Sequence, residues 1–239
     1  MDYHKAYKFH AEPQQSNQYA YLSQFIYGGI DGGVTTFAVI AGAVGAGFGV
    51  EIIIILGIAN LIADGFSMSV GSYLSSKSEQ EKHEKYRKLE HWGVEHLPES
   101  EREEIREIFR SKGLEGELLE SVVQTITADK EIWVNVMMKD EHNMVIESET
   151  PRKKAIATFL SFLLIGFIPL ASFFINIDMS QAFMMSCMLT ALSFTIIGFM
   201  KAHVNHSSKV RGIGETLLLG TTAAGLAYFA GSFLEKLIM

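Results

Sequence analysis

The chain has 239 residues and a formal charge of −7, with hydrophobic residues at 48% and charged ones at 20%, averages that fit an ordinary soluble protein. The placement of the charge does not: residues 77–150 hold 19 of the 27 Asp and Glu, while 32–50, 155–177, 179–200 and 216–234 hold no charged residue at all. Each of those stretches approaches the roughly 20 apolar residues that cross ~30 Å of hydrocarbon as a helix, which excludes a single soluble core, and the acidic balance excludes a nucleic-acid partner.

In chain order, Met1–Gln24 is polar and aromatic, without the apolar core or small-residue cleavage site of a signal peptide. It reads as a cytosolic N-terminal segment. Residues 25–76 hold transmembrane helices one and two, Phe25–Val50 and Ile52–Ser76, with a short turn at Glu51. The pairs Gly28/Gly32, Gly29/Gly33 and Gly45/Gly49 mark a close-packing face, used either within the chain or in a dimer. Residues 77–150 read as a cytosolic helical domain. There, 77–96 continues span two as far as the Pro98 break, Ser100-Glu101-Arg102-Glu103 spells a capping box, and Gly113 is a C′ stop. Leu114–Ile126 and Asp129–Asp140 follow as short amphipathic helices, with Leu118, Leu119, Val122 and Ile126 on one core face and Ile132, Trp133 and Val136 on the other. Residues 151–239 hold transmembrane helices three to five, Ala155–Asn176, Gln181–His203 and Gly214–Leu237, with Pro169 expected to kink the third. The fold class is therefore all-α: a polytopic membrane protein with five transmembrane helices and a helical domain between spans two and three.

Five spans place Lys5, Lys8, the 14 basic residues from Lys77 to Lys154, and Lys201, Lys209 and Arg211 on one side, 19 of the 20. By the positive-inside rule that side is the cytosol. Cys187 stands alone in an apolar run, so one chain has neither a disulfide framework nor a thiolate cluster.

Carboxylates inside spans carry the sharpest signal, because a charged Asp at mid-bilayer costs roughly 2.5–3.5 kcal/mol on insertion scales. Asp31 enters span one, and Asp64 lies within span two with Asn60 one turn before and Met68 one turn after. Carboxylate with thioether disfavours Mg²⁺ and Ca²⁺ and suits Fe²⁺ or a similar ion. The plainer reading is a helix–helix hydrogen bond for Asp64 and packing for Met68. In the polar block, Glu101 and Glu104 share a helix face, and Met137, Met138 and Glu141 close another helix. These form either a second metal site or a solvated face with ordinary core methionines. His203 and His206 are either a metal pair or a polar helix end. No nucleophile–base arrangement points to an enzyme.

The runs Asp31-Gly32-Gly33-Val34-Thr35-Thr36-Phe37-Ala38-Val39, Gly57-Ile58-Ala59-Asn60-Leu61-Ile62-Ala63-Asp64-Gly65-Phe66-Ser67-Met68 and Tyr73-Leu74-Ser75 resemble the vacuolar iron transporter family. The resemblance continues through Met137-Met138, Ile168-Pro169-Leu170 and the Gly-rich last span. It implies a homodimer with the ion path at the subunit interface, moving Fe²⁺ or Mn²⁺ out of the cytosol in exchange for protons, with no prosthetic group. Asp31 matches the family's span-one carboxylate and Met68 its span-two methionine. Glu90, Glu101, Glu104, Met137, Met138 and Glu141 resemble its cytosolic metal-binding set. Three positions depart from the pattern: Asn60 and Ser72 stand where some members have Glu, with Asp64 one turn from Asn60, and Gly93 stands where a further cytosolic Glu is expected. The membrane would be the cell membrane in a prokaryote and the vacuolar membrane in a eukaryote. The competing reading is a membrane-anchored metal store or sensor without transport, which would need none of the intramembrane ligands.

Overall fold

The computed structural model describes residues 17–144 and 150–238, with side chains from Tyr21 onward. The expected N-terminal segment therefore lies outside the described residues up to position 16, and its remainder is the start of the first helix. Among the described residues there is no strand. The helices are α1 (Asn17–Gly45), α2 (Val50–His96), α3 (Pro98–Ser111), α4 (Gly116–Thr127), α5 (Lys130–Asp140), α6 (Pro151–Ala171), α7 (Met179–Val204) and α8 (Lys209–Ile238), with a 3₁₀ turn, Ser172–Phe174, after α6. Five stretches are long and apolar enough to cross a membrane: Tyr21–Gly45, the apolar part of α2, Pro151–Phe174, α7 and α8. The chain divides into two compact units, Met1–Leu74 with Glu149–Met239, and Ser75–Ser148.

The first unit packs by glycine. A lipid-facing helix gains little from burying apolar surface, so close backbone approach through small residues supplies the contact energy. A Cβ on Gly28 would strike Ser161 and the Thr158 carbonyl, and one on Gly32 would lie 2.5 Å from the Phe162 carbonyl oxygen, so this pair seats α1 on α6. Gly29 and Gly33 take Ile165 and Phe194, while Gly45 meets the Tyr228 backbone on α8. The GxxxG face thus serves contacts within the chain. Gly49 does not share in it and faces only Glu51. The core between α1, α2 and α6 consists of Ile40, Ile53, Leu61, Phe162 and Leu170, with Met68 packed at its margin.

Several hydroxyls in this unit are turned onto carbonyls, as an apolar surrounding favours. Ser186 Oγ donates to the Pro169 carbonyl (2.8 Å), Thr216 Oγ1 to that of Phe194 (2.9 Å) and Ser69 Oγ to that of Ala155 (3.0 Å), each tying one helix to another. Pro169 lies two residues from the end of α6 and is followed by the 3₁₀ turn. The expected kink is thus a helix terminus. The turn between spans one and two is also displaced. Gly47, at φ +70°, is the left-handed cap: its N–H donates to Val44 and that of Phe48 to Ala43, so Glu51 falls in the first turn of α2.

The second unit is a small helical domain around Val94, Ile105, Leu119, Val123, Trp133, Val134, Met137 and Met138. Gly113 ends α3 as expected, at φ +90° with Leu114 N–H returning to Phe109. The capping box does not form. The helix begins three residues earlier with Pro98 at its first position and Leu97 as a cap without a side-chain bond, because proline's missing N–H and fixed φ suit that position. Asp129 does cap α5, accepting from the N–H groups of Glu131 and Ile132. The core faces are rotated from the expected ones. Leu118 is 64% and Ile132 50% exposed, while Val123 and Val134 are buried instead.

Candidate functional site

Two groups of side chains answer to the expected sites, one in each unit. In the apolar unit, Asp31 is half-buried on α1 beside Gly32, whose seat on α6 fixes its height and rotation. On α2, residues Ile53, Gly57, Leu61 and Gly65 form the packed face and Ile55, Ile62 and Phe66 the exposed one. Asn60, Asp64 and Met68 lie half-buried, one turn apart on a single stripe. Asp31 and Asp64 thus lie half-buried on two different helices of this unit. The fold therefore sets in one unit two carboxylates that the sequence separates by 33 positions. The Asn60 side-chain nitrogen is buried without a hydrogen-bond partner. Asn60 is polar and incompletely satisfied in a setting where such groups are costly.

In the polar unit the acidic residues converge. Glu90, near the end of α2, is buried, and its Oε1 is 2.7 Å from Nε2 of His142. Glu141 Oε1 lies 3.8 Å from the same nitrogen. One ligand atom from each of Glu90, Glu141 and His142 falls within 4.8 Å of the others. Glu101 and Glu104 complete the group from α3. Glu101 Oε1 occupies the space that a side chain at Gly93 would fill, and its Oε2 is buried without a hydrogen-bond partner. The glycine where a further Glu is expected thus makes room for the Glu101 carboxylate.

The charges around this group are one-sided. Burial, then repulsion from Glu104, Glu90 and Glu141, push the Glu101 carboxyl up to about 7, against a smaller opposing pull from His142. Burial likewise raises Glu104, with repulsion from Glu90 and Glu107, and raises Glu141 although His142 opposes it. Basic residues nearby are engaged elsewhere: Arg106 with Glu103 and Glu120, Arg102 with Glu99, Arg87 with Glu131 and Lys130 with Glu95. Among the described residues no Lys or Arg lies within ion-pair distance of Glu90, Glu101, Glu104 or Glu141. Four carboxylates gathered around one imidazole, with no Lys or Arg partner among the described residues, make a strongly acidic cluster.

Met137 and Met138 are 0% and 3% exposed in the core of this unit. They belong to the same core cluster as Val94, Ile105 and Trp133. The residue that sequence reasoning missed is His142; its only signal was its position beside Glu141. His203 stacks on Phe199 with ring centroids 6.3 Å apart, and His206, at φ +49°, is the left-handed residue at the end of α7, so both stand at a helix terminus.

Comparison with known proteins completes the assignment. The family model described as the VIT family matches residues 22–232. A protein named vacuolar iron transporter from Toxoplasma gondii is 30% identical over 239 residues, covering 96% of this chain and 79% of its own. Vacuolar iron transporter 1 of Tulipa gesneriana is 31% identical over 206 residues (85% and 83%), and that of Arabidopsis thaliana 30% over 210 residues (87% and 83%). With a match running from the first turns of α1 almost to the end of α8, and with intramembrane carboxylates on α1 and α2, the chain belongs to the VIT family.

Proposed function

We propose that this protein is a transporter that moves Fe²⁺ or Mn²⁺ out of the cytosol in exchange for protons. The observation that carries the reading is the presence of two half-buried carboxylates, Asp31 and Asp64, on different helices within the five-helix unit. Relatives named vacuolar iron transporters supply the metal. In this reading the polar unit with its Glu cluster and the N-terminal segment are cytosolic, and the membrane is that of a vacuole or its functional equivalent. Two copies assemble as a homodimer.

The chemistry follows from the donor types. A hydrated divalent ion is gathered by Glu90, Glu101, Glu104 and Glu141, whose mutual repulsion a cation relieves. Within the membrane unit, Asp31, Asp64, Asn60 and Met68 exchange its water for oxygen and sulfur ligands, a mixture that favours Fe²⁺ over harder ions. A proton arriving from the far side neutralises Asp31 or Asp64. A neutral carboxyl is a poor ligand, so the ion leaves and the proton is carried back. Met137 and Met138 act in this scheme only where the core around them opens to expose sulfur.

The test uses purified protein in liposomes offered Fe²⁺, Mn²⁺, Co²⁺ and Zn²⁺ separately, with internal pH followed together with metal. Fe²⁺ flux with opposing proton movement is the expected result. Metal binding without flux would establish the store or sensor reading instead.

A further inference from the structure

His142 belongs to the acidic cluster by position but not by chemistry. Its Nε2 faces Glu90 Oε1 at 2.7 Å and Glu141 Oε1 at 3.8 Å. Ligand atoms bound to one ion at about 2.0–2.2 Å lie roughly 3–4 Å apart, and one atom from each of these three residues lies within 4.8 Å of the others. The ring is also held in place. Its N–H-bearing backbone donates to the Met137 carbonyl (3.2 Å), Asn143 turns the chain back at φ +53°, and Tyr86 packs edge-on at 4.7 Å between ring centroids. Beside these three, Glu101 packs its carboxylate against Gly93 and keeps a buried, unpartnered Oε2, an acceptor that lacks a donor and that a cation would satisfy.

We propose that His142 is a direct metal ligand in this cluster, supplying the donor that Gly93 does not and biasing the site toward borderline cations such as Co²⁺, Zn²⁺ and Fe²⁺ over Mn²⁺. The proposal rests on the reading above that the cluster holds metal. Carboxylates alone discriminate weakly among divalent ions. One imidazole nitrogen moves the donor set along the series in which Mn²⁺ binds least and Co²⁺ and Zn²⁺ bind more tightly.

Affinity alone does not separate a ligand from a positioning residue, since loss of a supporting partner also costs about 10–100-fold. The test therefore reads the donor atom. Full-length protein in detergent is loaded with substoichiometric Mn²⁺, and electron spin-echo modulation reports any directly bound nitrogen. Wild type should show one imidazole nitrogen and His142→Gln should lose it. In parallel titrations His142→Gln should weaken Co²⁺ about tenfold or more and Mn²⁺ much less, while His142→Asp should retain binding but invert the preference toward Mn²⁺. Metal that depends on Glu101 and Glu104, yet shows no nitrogen modulation and no change of preference in either His142 variant, overturns the proposal and leaves the cluster standing. Binding unaffected by Glu101→Gln with Glu104→Gln overturns the cluster reading and the proposal with it.

Discussion

Gly32→Ala is the substitution whose effect follows most directly from the packing. The added Cβ would lie 2.5 Å from the Phe162 carbonyl oxygen, 2.9 Å from its Cα and 3.0 Å from its carbonyl carbon. All three are backbone atoms of α6, so no rotamer change relieves the clash. An ordinary C···O contact needs about 3.3 Å, which leaves about 0.8 Å to be found by moving α1 off α6. Overpacking of this kind costs about 1–3 kcal/mol. For a chain of this size that corresponds to a fall in Tm of roughly 2–4 °C per kcal/mol. Because Asp31 is the neighbouring residue, the same shift moves it relative to Asp64, so metal flux should fall even in the fraction that remains folded. Gly225→Ala provides the control: its Cβ meets nothing within 4 Å, and removing a helical glycine there should be neutral or stabilising by about 0.5–1 kcal/mol. Thermal unfolding in detergent and liposome flux, measured on both variants, check the argument. Equal Tm and equal flux for Gly32→Ala and wild type would refute the packing described here.

Asp64→Asn should abolish metal-coupled proton flux, since an amide ligates weakly and takes no proton, and Asn60→Glu should restore part of it; unchanged coupling in Asp64→Asn would reduce Asp64 to a packing residue. In a Cys187→Ala background, Asn143→Cys should label from the cytosolic side and Lys236→Cys from the opposite one, and labelling of both from one side would overturn the five-span orientation. For Glu101, whose carboxyl is raised from 4.5 to about 7 in the fold, the folded state holds a proton that the unfolded chain has already released. The resulting stability is fully present below about pH 4.5 and lost as pH rises through 7. The metal-free wild type should therefore lose more Tm than Glu101→Gln on going from about pH 5 to pH 8, and identical pH profiles would contradict the assigned burial and repulsion. Met137→Ala with Met138→Ala should lower Tm sharply, each buried truncation costing about 2–5 kcal/mol; wild-type Tm with altered metal discrimination would instead expose both sulfurs as working ligands.

The spans were legible because a charge-free run of transmembrane length is too long and too apolar for the core of a small soluble domain. Their packed faces were not, because the residues facing lipid and those facing a neighbouring helix are equally apolar. Ile53 and Ile55 differ in burial, not in character. Only the glycines on α1 carried that information, and their choice between an internal and an external partner needed the coordinates. Local rules failed where two applied at once, as at Pro98 and Ser100, where proline's preference for the first helical position displaced the capping box. In the polar unit, Glu101, Glu104 and Glu141 could be picked out by spacing. The pairing of Glu90 with His142, 52 residues apart, is purely tertiary, and nothing periodic announces it. Met137 and Met138 were open to two readings, sulfur ligand or core filler, and their burial inside the unit is tertiary information that no spacing carries.

The glycine seats have a kinematic consequence. Where α1 meets α6 and α8, backbone lies against backbone at Gly28, Gly32 and Gly45, and such contacts interlock like the teeth of a key. Sliding or rolling one helix past the other would drive a carbonyl into a Cα. The glycines of α2 are filled differently: Gly57 faces the Leu170 side chain, and Gly65 faces those of Phe159 and Phe162. Side chains of that kind change rotamer and let a helix roll, which is how packed helices shear over small distances. The membrane unit is thus divided into a locked frame carrying Asp31 and a helix on softer bearings carrying Asp64. A roll of α2 would change the separation of the two carboxylates, and the Ser69–Ala155 hydrogen bond that ties α2 to α6 would limit it.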